Sequence, residues 1–423
     1  MGSGLAAHAQ TESQAEKLEK ENQQLKQRLD AVEELLKKEG ITSSSQPASH
    51  NVAAMSSMTI SGFVTASYFE DVASSKDIHP VGYLWNTSMN QFSLNKVKLT
   101  IASPTVDKEK WDAAYRVSMM YGQDATITDP NSKPGGAYPT LANIREAYLE
   151  LNVPIGTGLG IKAGELISLM NYESGDGGAA NANFSQGYQW YYTGNPPGGA
   201  IQASYDINSV VGFKARLQNG LYTGEFGTGG KTFLGGFYIN PDKKTSLSFI
   251  GFAGEQNFAP EWYLAGGAFI GSRQLFEQYN VTIATEFDYF NYSGFNSAQA
   301  GFPTGSSSGD FWSIGGWLTA DFTPKFGVAL RAELIDDPSG FGTFWNSPSP
   351  ANTEGYGGSF PYQIYTTGAG QDLTSVTFTL NYRPVGPVKI QPEVRWNHSN
   401  FSGAFGNGKS DQVIVGMGAT YLF

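Results

Sequence analysis

From Met58 to Phe423 the chain repeats one pattern: short segments in which apolar residues take every second position, with no helical periodicity between them. That is the period of a β-strand with one apolar face. The last segment carries it plainly, since Val413, Val415, Met417, Ala419, Tyr421 and Phe423 share one parity while Gly416, Gly418 and Thr420 share the other. A soluble sheet buries such a face under a second layer, whereas a strand in a membrane barrel turns it to lipid and points small or polar residues into the lumen. Recurrence decides between the two. Sixteen candidate strands can be marked, at 58–69, 91–101, 111–121, 143–152, 158–167, 199–206, 210–219, 231–240, 244–253, 261–273, 279–291, 310–322, 325–336, 373–383, 387–398 and 411–423.

The connections between these segments alternate in length. Short turns such as Val153-Pro154-Ile155-Gly156, Ile207-Asn208-Ser209, Pro241-Asp242-Lys243 and Thr323-Pro324 are followed by long Gly/Ser/Asn-rich stretches, the longest at 168–198 and 337–372. Membrane barrels have this asymmetry, and an even strand number leaves both chain ends on the short-turn side. No run in the chain approaches the ~18 apolar residues of a spanning helix, so any membrane form is a barrel. The absence of cysteine excludes a disulfide scaffold, thiol catalysis and cysteine-ligated metal, and the net charge of −11 argues against a nucleic-acid partner.

Parity inside the strands sorts charge from apolar bulk. Trp111, Ala113, Tyr115, Val117 and Met119 alternate with Asp112, Arg116 and Ser118, and Val211, Phe213, Ala215 and Leu217 with Lys214, Arg216 and Gln218. Phe326, Val328, Leu330 and Leu334 oppose Arg331 and Glu333, while Val388, Ile390, Val394 and Trp396 oppose Lys389, Gln391, Glu393 and Arg395. An Arg or Lys at the lipid midplane costs roughly 2–4 kcal/mol, so this register is the expected one. Arg145 and Glu165 break it, which implies a bulge, a subunit contact or displaced strand ends. Aromatic residues gather at strand ends, among them Tyr68, Phe69, Tyr121, Tyr289, Phe290, Trp312, Phe322 and Trp396, at the depth where amphipathic rings suit lipid headgroups.

The N-terminal part has another character. Ala7-His8-Ala9 before Gln10 has the small-x-small form of a cleavage site, so residues 1–9 read as the remnant of an export signal. Residues 10–39 hold heptads: Ala15, Asn22, Leu29 and Leu36 fall at a, Leu18, Leu25 and Val32 at d, and Glu21 with Lys26 and Arg28 with Glu33 pair opposite charges at g and e. The segment is expected to be a short coiled coil whose core is Leu18, Asn22, Leu25, Leu29, Val32 and Leu36. So few heptads are marginal alone, and self-association is their source of stability. Residues 40–57, rich in Ser, read as a flexible linker before a barrel of 58–423.

With this coiled coil, sixteen strands and the terminal Phe423, the chain resembles a bacterial outer-membrane porin, closest to the sixteen-stranded general diffusion type. The fold implied is an all-β transmembrane barrel of about sixteen antiparallel strands, embedded in outer-membrane lipid, with the N-terminal segment in the periplasm. The resemblance implies a homotrimer passing small hydrophilic solutes and ions through a water-filled channel, narrowed by the third long loop. Some sugar-selective porins also carry an N-terminal coiled coil, though they usually have eighteen strands. In order along the chain the third long loop is 168–198, with Glu173, Asp176, Tyr188, Trp190, Tyr191 and Tyr192 as constriction residues. Lumen parity supplies Lys98, Arg116, Lys162, Lys214, Arg216, Arg331, Arg383 and Arg395 as pore-lining cations. An acidic loop facing basic walls sets up a transverse field that favours polar solutes. Acidic outer loops attract cations at the mouth while the cationic lumen favours anions, and the sign of the sum is open. The loop aromatics either stack on sugar rings or pack the loop against the wall.

Other readings have less to build on. Of the four histidines, His8 and His50 lie outside the barrel and only His79 and His398 approach its rim, which leaves a Ser/His hydrolase unsupported. Glu173-Ser174-Gly175-Asp176 offers oxygen ligands for calcium, with an ordinary acidic loop as the plainer alternative, and no other cofactor or metal site is expected. Gly158 to Gly164 lacks the spacing of a dinucleotide loop. Two non-channel roles stay open: a barrel anchor whose N-terminal coiled coil contacts the cell wall, and a sheath for a haem partner, the chain having no Cys-x-x-Cys-His of its own.

Overall fold

Segments with one apolar face and one polar face, each joined to the next by a turn or loop, can satisfy every backbone group in a membrane only by closing on themselves. The computed structural model does this. Sixteen antiparallel strands follow one another in chain order around a closed barrel, and the last pairs with the first. They are β1 Thr59–Asp71, β2 Gln91–Ala102, β3 Asp112–Tyr121, β4 Ile144–Val153, β5 Leu159–Leu166, β6 Gly198–Asp206, β7 Val211–Gln218 and β8 Thr232–Asp242. The series continues with β9 Thr245–Gln256, β10 Ala259–Phe276, β11 Val281–Ser293, β12 Ser308–Asp321, β13 Phe326–Asp337, β14 Gln371–Tyr382, β15 Val388–Ser399 and β16 Asp411–Leu422.

The structure describes residues 57–73, 88–125, 144–194, 197–221, 229–256, 259–294, 308–338, 370–405 and 408–423, together with Gln23 and Lys26, which are helical. The coiled-coil core Leu18, Asn22, Leu25, Leu29, Val32 and Leu36 lies outside the described residues, as do the linker 40–56, His79 and most of 337–372.

Closure is made by the stretch with the clearest alternation. Val64 pairs with Tyr421 and Ala66 with Ala419, and Gly62 and Phe423 exchange backbone hydrogen bonds of 2.9 and 3.0 Å. Both ends of the barrel chain therefore meet on the side of the short turns 154–158, 207–210, 243–244 and 322–325. One connection departs from the expected alternation. β9 and β10 run on to Gln256 and from Ala259, so the loop read between them is largely strand, with a register shift between Ala259 and Tyr263.

Parity is kept almost everywhere. Val415, Met417 and Tyr421 point outward and exposed, while Gln412, Ile414, Gly418 and Thr420 are buried inside. Phe233, Phe237, Phe249, Ile283, Phe287, Leu318, Leu330, Phe378 and Val394 are likewise exposed on the outer face. So large a continuous apolar surface is what a lipid-facing wall requires. Phe237, Phe249, Phe269 and Phe287 lie in register across β8 to β11, and beside them the paired Gly235, Gly251 and Gly267 leave a shallow outer trough of about 530 Å³.

The two parity breakers have local causes. Ser118 pairs with Glu146 but Met119 with Ile144, so Arg145 is the extra residue of a β-bulge, buried with Glu146. Glu165 follows Gly164, whose φ of +138° interrupts the regular pleat before the ladder reaches Ala147. Two aromatics expected at the membrane interfaces point inward instead: Phe69 is 2% exposed and Phe290 is 0% exposed. The lumen is correspondingly less polar than a channel wall needs to be. Leu234, Ile250, Phe252, Leu264, Phe290, Phe311 and Ile335, all facing in, form one apolar cluster. An inward apolar face is stable only if something covers it.

Candidate functional site: the inner loop and the lumen wall

What covers it is the connection 167–197 between β5 and β6. A 3₁₀ turn at Gly177–Ala179 and one short helix, α1 (Tyr188–Thr193), are its regular structure. Met170, Tyr188 and Tyr192 join the apolar cluster, and the Tyr188 and Tyr192 rings are 1% and 2% exposed. Phe184 stacks on Phe69 at 5.6 Å and fits because the wall offers glycine there: a Cβ on Gly418 would strike the Phe184 ring. The small-residue parity of β16 thus seats one loop residue.

Polar contacts fix the rest of the loop to the wall of β11 to β15. Glu173 accepts from Arg331 at 2.6 Å and from the Gly187 amide at 2.7 Å, while Arg331 also donates to the Ser185 carbonyl at 2.6 Å and pairs with Glu333 at 3.0 Å. Glu393 accepts from the Phe184 amide at 2.7 Å. Lys389 donates to the Gly178 carbonyl at 2.9 Å, Gln391 and Asn381 donate to the Ala182 carbonyl, and Arg395 donates to the Gln186 carbonyl at 2.7 Å with its guanidinium over the Tyr188 ring. On β11, Glu286 accepts from Asn171 and the Tyr172 amide, and Asp288 from Gln189. On β2, Lys98 holds Asp176 at 2.7 Å. Irregular backbone is tolerated at membrane depth only when buried partners satisfy it. Here wall side chains do so.

The structure divides the eight expected pore-lining cations. Lys98, Arg331 and Arg395 lie against the loop. Arg216 is 3% exposed and donates to the Ile167 carbonyl at 2.8 Å, tethering the loop where it leaves β5. Arg383 follows β14 at the short-turn end and pairs with Asp321 at 3.0 Å. Arg116, Lys162 and Lys214 remain half-exposed on β3, β5 and β7. Arg116 pairs with Glu146, and Lys162 with Glu150 at 3.4 Å.

The transverse field expected from an acidic loop facing basic walls takes a different form, because Glu173 and Asp176 touch Arg331 and Lys98 directly and each pair acts as a short dipole. The same contacts draw the two carboxylates of the proposed calcium stretch to different walls. Of the loop aromatics, Tyr188 and Tyr192 are buried in the apolar cluster, the half-buried Tyr191 packs against it, and Trp190 stays partly exposed. Sequence reasoning placed Lys389 and Gln391 on lumen parity without a role, and it missed Glu286, Asp288, Asn381 and Phe184. The wall residues carried a signal, since they lie on lumen parity, but Phe184 sits in a loop without period.

A family model described as putative β-barrel porin-2, OmpL-like, matches residues 57–423. No curated protein sequence matches the chain. Among solved structures it is similar to OprB of Pseudomonas putida, at 10% identity over 89% of this chain and 96% of that one, with a TM-score of 0.54. It is also similar to the outer membrane channel DcaP of Acinetobacter baumannii, at 13% identity over 86% and 97% with a TM-score of 0.52. OmpT of Vibrio cholerae, in its trimer form, matches at 9% identity over 86% and 99% with a TM-score of 0.51. Identities this low speak for the shared barrel.

Proposed function

The chain belongs to the putative β-barrel porin-2, OmpL-like family and is an outer-membrane porin, a channel for passive diffusion; on that premise we propose that small hydrophilic solutes and ions cross between the inner loop and the wall of β3 to β8. The observation that carries this route is the one-sided seating of the loop. Apart from the tether of Arg216 where the loop leaves β5, its anchors lie on β1, β2 and β11 to β16, whereas Arg116, Tyr148, Lys162 and Lys214 keep part of their side chains open. Residues 167–197 are then the constriction of the channel.

Three such barrels side by side through their apolar outer walls make the working unit; the structure of OmpT, solved in a trimer form, supports this reading. The N-terminal segment lies in the periplasm, where residues 10–39 of three chains form the coiled coil. Linking the heptads to barrels already held together raises their local concentration and offsets their short length. Small aqueous solutes are the cargo.

Planar-bilayer recording of the purified full-length protein tests the channel, with stepwise ohmic conductance grouped in threes as the expected result. Removing residues 10–57 should leave the conductance in place. A variant that still folds and conducts, but lets the outer membrane detach in cells, would instead favour an anchor role for that segment.

A further inference from the structure

Both sides of the lumen carry charges of both signs, and the two sides differ in what covers them. On β11 and β13 the carboxylates of Glu286, Asp288 and Glu333 are 1%, 0% and 4% exposed. Loop donors reach all three: Asn171 and the Tyr172 amide bond Glu286, and Gln189 bonds Asp288 by its side chain and Glu333 by its amide. A permeating cation meets these acids only through the loop.

The wall of β3, β5 and β7 is more open, although Arg216 is buried. Arg116 and Lys162 keep 36% and 26% of their side chains exposed, and Lys214 is also half-exposed. Their strands all start at the short-turn end, and counted from there they are the fifth, fourth and fourth residues of β3, β5 and β7. They stand level to within about one residue, or ~3.3 Å of rise. Arg116 and Lys162 share this level with Glu146 and Glu150, but among the described residues Lys214 has no carboxylate within ion-pair distance. Its ammonium lies 4.2 Å from the centroid of the Tyr238 ring. Arg216, two residues further along β7, is bonded to Gln202, Gln218 and the Ile167 carbonyl, all neutral. Along the open part of the route three cations, Arg116, Lys162 and Lys214, therefore face Glu146 and Glu150, with Arg216 buried behind them. The acids at the ends of these strands are engaged by the β2–β3 turn, Asp112 by the Asp107 amide and Asp206 by Lys108.

We propose that this arc makes the channel selective for small anions, inorganic and organic, and that Lys214 is its principal selectivity residue. The inference rests on the channel reading and gives it a sign. Fixed charge beside low-dielectric walls raises the local concentration of the opposite mobile ion, and an unneutralised ammonium does so without a partner to dissociate. The Tyr238 face holds the ammonium in place while leaving its outer hydrogens to the passing solute.

The test is the reversal potential of full-length trimers in planar bilayers under a potassium chloride gradient. Wild type should favour chloride over potassium by about threefold or more, because fixed charge in the lumen concentrates the opposite ion. Lys214→Gln should bring that ratio close to one, Lys214→Arg should retain it, and Lys244→Gln, in the β8–β9 turn outside the lumen, should leave it unchanged. Normal conductance steps in Lys214→Arg show that the position tolerates substitution. A wild-type channel that prefers potassium, or a ratio that Lys214→Gln does not move, would overturn the proposal and leave the channel standing. A folded protein without any conductance would remove the channel reading and this one with it.

Discussion

Arg331 shows how a single lumen residue does structural work. Completely buried, it contacts Glu173 from the loop, Glu333 from its own strand, the Ser185 carbonyl and Thr377 on β14. Burying a guanidinium is favourable only when its donors are paired, and its removal strands two carboxylates in a space that water does not reach. Arg331→Met should therefore destabilise the loop's seating by about 3–5 kcal/mol. Limited proteolysis measures it: cleavage within 171–194 should become rapid in Arg331→Met, and Arg331→Met with Glu173→Gln and Glu333→Gln should recover much of the protection. The lumen parity of Arg331 was legible in the sequence, because an Arg at the lipid midplane costs too much. That it binds a loop more than one hundred residues away was not, since no local pattern links position 331 to position 173.

At the level of elements, the loop 167–197 behaves as part of the wall. Asn183 donates to Thr379 at 2.7 Å, Phe184 fills the space beside Gly418, and α1 lies in the apolar cluster. A loop with this many fixed contacts is expected to shape the pore without opening and closing it. The chain has no cysteine, which permits a clean test. With Asn183→Cys and Thr379→Cys, oxidation should leave single-channel conductance as it was before oxidation; a clear loss on oxidation, reversed by reductant, would identify a moving gate. The strands themselves were readable to within a few residues, because alternation acts locally. β9 and β10 were read short because a register shift near Ala259 lets pairing continue where composition suggested a loop.

For the whole molecule, the outer wall decides what the barrel can live in. Among the described residues its outer face carries rows of exposed Phe, Leu, Ile and Val, which suit lipid and not water. Phe249→Arg, in the row of four in-register phenylalanines, should cost about 2–4 kcal/mol if that row lies near the bilayer midplane. Urea titration of the protein refolded into vesicles should show the shift, while the same substitution at Ser246, near the short-turn end of β9, should show little. Native mass spectrometry of the full chain in detergent checks assembly. Trimers are expected, and Leu25→Asp with Leu29→Asp should loosen them without unfolding the barrels.

The sequence alone determined the barrel: two-residue alternation, connection lengths and an even strand number are local properties, and the membrane admits few ways to satisfy a backbone. It also determined which charges face inward, because the lipid face tolerates almost none. Only the tertiary structure decided which of those charges meet the pore. The loop folds over the acids of β11 and β13 and leaves Arg116, Lys162 and Lys214 partly open, a choice made by contacts such as Phe184 with Gly418 and Glu173 with Arg331. Those partners lie far apart in the chain, so no periodicity records them, and the anion preference proposed above rests on them.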